Sequence, residues 1–303
     1  MPIRSAAKMR PAESLEVLGV AVSHPGRVIF ADPGVTKGQL AQYYATVSEW
    51  ILRDIADHPV SLLRCPEGTA GDCFYQRSPG SGLGADVKPF RWGHKGKSYE
   101  YLYVRDAKGL IELVQMGAIE IHPWGARVER IDYPDRLIFD LDPDTGVPFD
   151  VVKLAARDLR RRLEAAGLES FLKCTGGKGL HVTVPLAEKD KWAVVKPFAA
   201  SIAEKMVREV PEAYVATMSK GKRKGKIFVD YFRNDYTATA IADFGVRARP
   251  GAPVAVPLEW KELEKLKAAN QFSMQDVLAR LKKSKPKPAR YAVRQRIPAT
   301  DAD

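Results

Sequence analysis

The chain has few cysteines, no long apolar run and too few acidic residues to balance its basic ones. Each shortage narrows the choice of function. Three cysteines, Cys65, Cys73 and Cys174, stand among 303 residues. An odd number without a C-x-x-C pair argues against a structural zinc, and the expectation is reduced thiols in a cytosolic protein. No apolar stretch approaches the roughly 18 residues of a membrane span, and Met1-Pro2-Ile3-Arg4 lacks the apolar core of a signal peptide. Asp and Glu number 37 against 48 Lys and Arg, a net charge of +11. With no basic amphipathic helix of broad apolar face, that surplus points to a polyanionic partner, nucleic acid before membrane.

Residues 1–18 are polar and read as a tail or linker, 19–281 as the folded domain, and 282–303 as a basic, proline-broken tail or linker. Thr36 is expected to cap a helix that turns Leu40, Tyr43, Tyr44, Val47, Ile51 and Leu52 inward. Val60–Arg64 and Tyr99–Val104 read as strands, and the glycine-rich Gly80-Ser81-Gly82-Leu83-Gly84 as a loop, since it joins no clear strand to a helix. Pro148 opens a helix with Val152, Ala155, Leu159 and Leu163 on one face, ended by Gly167. Strands near Ser170–Lys173 and Leu180–Val184, a helix around Trp192–Arg208 and a strand Ile227–Phe232 follow. A Leu- and Lys-rich helix is expected after Pro257 and another near Ser273. Strands that come as neighbours rather than in alternation with helices make the class α+β.

Chemistry concentrates at three places. In Phe139-Asp140-Leu141-Asp142-Pro143, strand alternation sends Leu137, Phe139 and Leu141 to the core and Asp140 and Asp142 together to the other face. Paired carboxylates repel unless a cation sits between them, and Mg²⁺ and Mn²⁺ prefer carboxylate oxygen. Thr175-Gly176-Gly177-Lys178-Gly179-Leu180-His181 combines glycines that admit an anion with hydroxyl, ammonium and imidazole donors. Asp230, opposite Ile227, Val229 and Tyr231 in phase, offers a third carboxylate. Other readings fit less well. Asp140-Leu141-Asp142-Pro143-Asp144 resembles the nucleophile motif of haloacid-dehalogenase-type phosphatases, yet Asp144 stands where Thr or Val belongs and the later acidic pair is missing. As a calcium loop it has Thr145 at the Gly position and Val151 in place of the bidentate Glu. Three carboxylates facing cationic donors instead describe nucleotidyl transfer.

Together with Ser23-His24-Pro25, Thr36-Lys37, Glu120-Ile121-His122-Pro123-Trp124, Val229-Asp230-Tyr231 with Arg233-Asn234, and Val246-Arg247-Ala248-Arg249-Pro250, these motifs run from Val20 to Leu281. In this order the sequence resembles the polymerase domain of bacterial DNA ligase D, in the archaeo-eukaryotic primase superfamily. Thr175 stands where that family usually has Ser and keeps the hydroxyl.

The resemblance implies a primase-type catalytic core with two apposed β-sheets flanked by helices and a central cleft. It implies that Asp140, Asp142 and Asp230 bind two divalent ions, Mn²⁺ or Mg²⁺. Thr175, Lys178, His181 and Arg247, with Arg233 and Arg249, are then expected to hold a nucleoside triphosphate, and His122 to lie near the primer terminus or nucleotide sugar. By the same resemblance Arg27 and Lys37 read the 5′-phosphate across a gap, with Arg in place of the usual Lys at the first position. Phe74 and Tyr75 match an aromatic pair that stacks on template bases, and Lys88, Arg91, Lys95 and Lys97 are candidates for backbone contacts. The implied activity is templated and untemplated addition, ribonucleotides preferred, at gaps and broken ends of double-stranded DNA in non-homologous end joining. The implied partners are Ku and ligase and phosphoesterase modules, in a bacterial, nucleoid-associated cytoplasmic setting. A stand-alone primase and a non-catalytic DNA-end-binding module are the competing readings.

Overall fold

A computed structural model of the chain describes residues 14–80, 82–94, 96–285 and 292–298. In the first half, β1 (Ser14–Val17) pairs with β2 (Val20–Ser23), and β3 (Val28–Phe30) with β4 (Val35–Thr36). Thr36 caps α1 (Lys37–Ile55) reciprocally: its hydroxyl accepts from the Gln39 amide, and the Gln39 side chain accepts from the Thr36 amide. Leu40, Tyr43, Tyr44, Val47 and Ile51 are buried, and Leu52 is half-buried. Next come β5 (Val60–Arg64), β6 (Phe74–Gln76), β7 (Val87–His94), β8 (Lys97–Val104), α2 (Ala107–Gln115) and β9 (Ala118–Pro123). β5 pairs with β6, β8 and β9, which makes it the hub of this five-stranded sheet.

The second half supplies β10 (Arg136–Pro143), α3 (Phe149–Ala165), β11 (Phe171–Cys174), β12 (Leu180–Pro185), α4 (Trp192–Glu209), β13 (Tyr214–Val215), β14 (Ile227–Asp230), β15 (Val256–Leu258) and α5 (Met274–Lys283). Six strands join in the order β13-β14-β10-β12-β11-β15, antiparallel except for β13 with β14. Leu137, Phe139 and Leu141 of β10 and Leu180, Val182 and Val184 of β12 are fully buried, as are Val152, Ala155, Leu159 and Leu163 of the α3 helix that packs on these strands. Truncating a buried ring such as Phe139 to Ala costs roughly 3–5 kcal/mol. The opposite, polar face looks toward the first sheet.

Two devices join the halves. Residues 239–249 run as a crosspiece: the Ala242 amide donates to the Ile121 carbonyl at 2.9 Å, and Tyr43 Oη donates to the Phe244 carbonyl at 2.9 Å. Below it, buried Arg136 binds Asp54 of α1 and Asp135, while His58 Nε2 lies 3.0 Å from Asp135 Oδ2 and 2.9 Å from Arg136 Nη2. Removing one member of such a buried set typically costs about 3–5 kcal/mol, because the others are left uncompensated.

Several expectations need correction. Ser14–Val17, assigned to the N-terminal tail, is a paired strand. Cys65 and Cys73 are joined in a disulfide, not reduced, and only Cys174 is a free thiol, buried in the core. The strand through Asp230 stops there, where the Asp230 side chain accepts from the Phe232 amide at 2.9 Å and turns the backbone. After Pro257 the chain forms the edge strand β15 and a 3₁₀ segment, Trp260–Lys265, in place of an α-helix. An edge is where a strand tolerates proline, which has no amide to donate. Lys282 and Lys283 belong to α5. Within 292–298, Gln295 bonds both backbone groups of Glu169, and Arg296 pairs with Asp190 at 2.7 Å, so this stretch is docked.

A candidate nucleotidyl-transfer site

Register builds the centre of the site. Lys173, His181, Asp140 and Asp230 are direct cross-strand partners on β11, β12, β10 and β14, forming one row across the sheet. His181 Nε2 approaches Asp140 Oδ1 at 3.4 Å. On the other flank the Arg233 guanidinium lies 3.5 Å from Asp140 and 3.0 Å from Asp230. Burial pushes the Asp140 carboxyl up, but His181, Arg233 and Arg247 outweigh it and hold the group at about 2. For Asp230 burial wins, and its carboxyl rises to about 6 despite Arg233. Asp142, half-exposed, is raised by burial and by the Asp140 charge, with Arg223 at 4.0 Å partly opposing.

The turn after β11 depends on glycine at two positions. Gly176 has φ of +66°, and a Cβ there would lie 2.8 Å from Arg247 Cγ; a Cβ at Gly179 would overlap the Leu141 carbonyl. Thr175 Oγ1 donates to the Gly179 carbonyl at 2.9 Å and accepts from the Gly177 amide at 3.2 Å, which closes the turn. Arg247 Nη1 donates to the Thr175 carbonyl at 2.9 Å, bringing a crosspiece cation to the turn. Lys178 is exposed, with Nζ 3.4 Å from Thr145 Oγ1.

A cleft of about 360 Å³ unites these groups. Asp140, Asp142, Thr175, Lys178, His181, Arg233, Arg247 and Arg249 line one side, and His122 and Tyr75 of the first sheet line the other. Asp230 adjoins through Asp140 and Arg233 but is not among its lining residues. The Tyr75 and His122 rings meet edge to face with centroids 6.2 Å apart.

Arg27 and Lys37 form a separate cationic pair beside the β3–β4 turn, where the Lys37 amide donates to the Arg27 carbonyl at 2.8 Å. Arg27 Nη1 donates to the Pro66 carbonyl at 2.6 Å and to Glu67 at 3.1 Å. Lys37 Nζ donates to the Gln115 amide oxygen at 2.9 Å, and no carboxylate pairs with it among the described residues. Burial first, then the Arg27 charge, lower its pKa to about 8. Phe74 and Tyr75 are exposed on β6, at 46% and 63%, large values for rings of this size. Lys88 and Arg91 are held by Asp86 and Glu100, Lys97 is exposed, and Lys95 lies outside the described residues.

Sequence reading missed Ser61, Arg77, Arg223 and Glu120. Ser61 and Arg77 line the cleft without a motif to mark them. Arg223 was hidden in a run of basic residues. Glu120 had a usable signal, since residues two apart on a strand share a face with His122.

The donor chemistry suits hard divalent cations: three carboxylates on adjacent strands, two with raised pKa values that a cation would lower. Among the described residues, however, no three acidic, His or Cys side chains are arranged to hold an ion. Arg233 bridges two of the carboxylates, and Asp142 is turned toward Arg223.

The family described as LigD, primase-polymerase domain, matches residues 36–288. The chain belongs to this family. It is a nucleotidyltransferase domain of the archaeo-eukaryotic primase superfamily. It is 38% identical over 288 residues to the multifunctional non-homologous end joining protein LigD of Pseudomonas aeruginosa, covering 92% of this chain and 34% of that protein. It is 30% identical over 246 residues to the protein of the same name from Mycolicibacterium smegmatis, covering 80% of this chain and 32% of that one. The chain thus spans about a third of the length of these relatives. The solved polymerase domain of Mycobacterium tuberculosis ligase D in complex with DNA superposes with a TM-score of 0.83 at 28% identity, over 91% of this chain and 99% of that one. The expected mixed fold of apposed sheets is therefore correct. No helix among the described residues is long and apolar enough to cross a membrane.

Proposed function

We propose that this LigD-family domain fills gaps and extends 3′ ends of broken double-stranded DNA, with or without template and with ribonucleotides preferred, in bacterial non-homologous end joining. One structural continuity carries the reading. Arg27 grips Pro66 and Glu67, the loop containing them ends at Phe74 and Tyr75, and Tyr75 packs against His122 in the cleft. A 5′-phosphate bound at Arg27 and Lys37 would therefore be linked through a short stacking surface to the acidic centre.

In this reading Asp140, Asp142 and Asp230 would hold two Mn²⁺ or Mg²⁺ ions. When bound, such ions favour the ionised 3′-hydroxyl and neutralise the triphosphate. The protein's own groups do the rest. Thr175, Lys178, His181, Arg247 and Arg249 would grip the triphosphate, with Arg233, now paired to Asp140 and Asp230, beside them. His122 borders the primer terminus or sugar, and Phe74 and Tyr75 stack on unpaired template bases. The catalytic unit is 19–281 enlarged by β1 and the docked 292–298 segment. Ku and ligase and phosphoesterase modules are the proposed partners.

Primer extension on a gapped duplex tests the proposal, run with Mn²⁺, with and without a 5′-phosphate, and with ribo- and deoxyribonucleotides in parallel. Extension stimulated by the phosphate is expected. No extension by the native protein would leave only DNA-end binding, and synthesis without any primer would favour a stand-alone primase.

A further inference from the structure

The catalytic reading uses His122 and Arg247 but does not say what aims them. Both lie against one carboxylate. Glu120 sits on β9 two residues before His122, so the two side chains share a face. Its side chain is 3% exposed and its two oxygens have three partners. Oε2 accepts from His122 Nε2 at 2.8 Å and lies 3.1 Å from Arg247 Nε; Oε1 accepts from the Ala248 amide at 2.9 Å.

These contacts fix a proton. Burial pushes the Glu120 carboxyl up, but His122, Arg247 and Ala248 together bring it to about 2, so it is ionised at neutral pH. An ionised carboxylate only accepts, so His122 Nε2 must donate. Burial lowers the His122 pKa, favouring a neutral ring whose Nδ1 is then a hydrogen-bond acceptor. The same carboxylate faces the Arg247 guanidinium as an ion pair, with Nε 3.1 Å from Oε2 but without hydrogen-bond geometry, while Nη1 donates to the Thr175 carbonyl of the phosphate-type turn.

We propose that Glu120 is a positioning residue that couples the two walls of the cleft, fixing His122 in its Nε2–H form and aiming Arg247 at the incoming triphosphate. It deepens the polymerase reading and rests on it. A purely structural role would be confined to the Ala248 bond, which anchors the crosspiece.

Two measurements separate these roles. Side-chain ¹⁵N NMR of the unsubstituted protein should show His122 as the Nε2–H tautomer; a dominant Nδ1–H form overturns the proposal whatever any variant does. Glu120→Gln keeps an oxygen for Ala248 but has no second oxygen for His122 and Arg247. It should change the His122 tautomer and weaken Mn²⁺-supported binding of a nonhydrolysable nucleoside triphosphate by about tenfold, the scale of one lost charged hydrogen bond. KM should rise and kcat fall. A lower Tm with tautomer and nucleotide affinity unchanged would make Glu120 merely structural and sink the idea. Because the NMR and binding readouts need no turnover, absence of extension by the native protein would defeat the polymerase reading without deciding this one.

Discussion

The molecule has two anion-seeking regions built on opposite charge logic. In the cleft the two arginines nearest the acidic row are engaged by carboxylates, Arg233 by Asp140 and Asp230 and Arg247 by Glu120, while His181, whose pKa burial lowers, lies 3.4 Å from Asp140. At the β3–β4 turn, Lys37 is held by an amide oxygen and crowded by Arg27, so its positive charge is uncompensated. In the proposed reading the turn takes a phosphate with no added cation. In the cleft Arg233 and Arg247 are already occupied by acidic side chains, so in the same reading added cations would free them for a triphosphate. Metal dependence and end recognition, in the proposed reading, therefore lie in separate places and should break separately.

The largest effect should come from breaking the cleft. Asp140→Ala removes the centre of the acidic row, and extension should fall on the order of a thousandfold, several kcal/mol of lost charge stabilisation. Binding of 5′-phosphorylated gapped DNA, followed by fluorescence anisotropy, should survive. Loss of both would mean that the two regions are one site.

Second comes the turn. Arg27→Ala with Lys37→Ala should abolish the preference for a 5′-phosphate, about 3 kcal/mol or a hundredfold if two charged hydrogen bonds are lost. Extension of a primer-template lacking the phosphate should change little. Retained preference would overturn the assignment.

A smaller, graded effect follows from the titration of Lys37. Its pKa is depressed to about 8, so the ammonium is present below pH 8 and lost as pH rises through it. The 5′-phosphate preference should decline severalfold from pH 7 to 9, with a midpoint at or above 8 because bound phosphate favours the charged form. Lys37→Arg should flatten that profile. A wild-type preference that is flat with pH would count against Lys37 as the phosphate ligand.

The smallest change in chemistry is expected at the disulfide that closes the loop between the regions. Cys73→Ser should lower stability by about 2–3 kcal/mol, as loop-closure entropy predicts for a short loop. Extension of an unphosphorylated primer-template should be nearly unchanged in the surviving folded protein. A denaturant titration of oxidised and reduced protein measures the first quantity directly.

Much of this arrangement was legible before the structure. Alternation located β10 and β12 and placed Asp140 and His181 off the core face. The caps Thr36 and Ser273 and the terminator Gly167 marked helix ends, because each is a local hydrogen-bond or dihedral requirement. What escaped was long-range. Pairing of Cys65 with Cys73 depends on how β5 and β6 turn back on each other. The Leu and Lys spacing after Pro257 suggested a helix, but pairing with β11 claimed Val256–Leu258 for the sheet. Docking of Gln295 and Arg296 required partners more than 100 residues away.

By itself, then, the sequence singled out the residues that the proposed chemistry would use: the Asp140–Asp142 pair, the Thr175–His181 turn, Asp230, and the cations proposed to face phosphate. Short-range rules suffice there, since strand phase and glycine freedom act over a few residues. Tertiary structure alone decided how those charges are balanced. Register set Asp140 between His181 and Asp230, and the crosspiece carried Arg247 to Glu120. Antiparallel pairing and sheet apposition join residues with no sequence relation, and Coulomb energies at 3–4 Å depend on such placements.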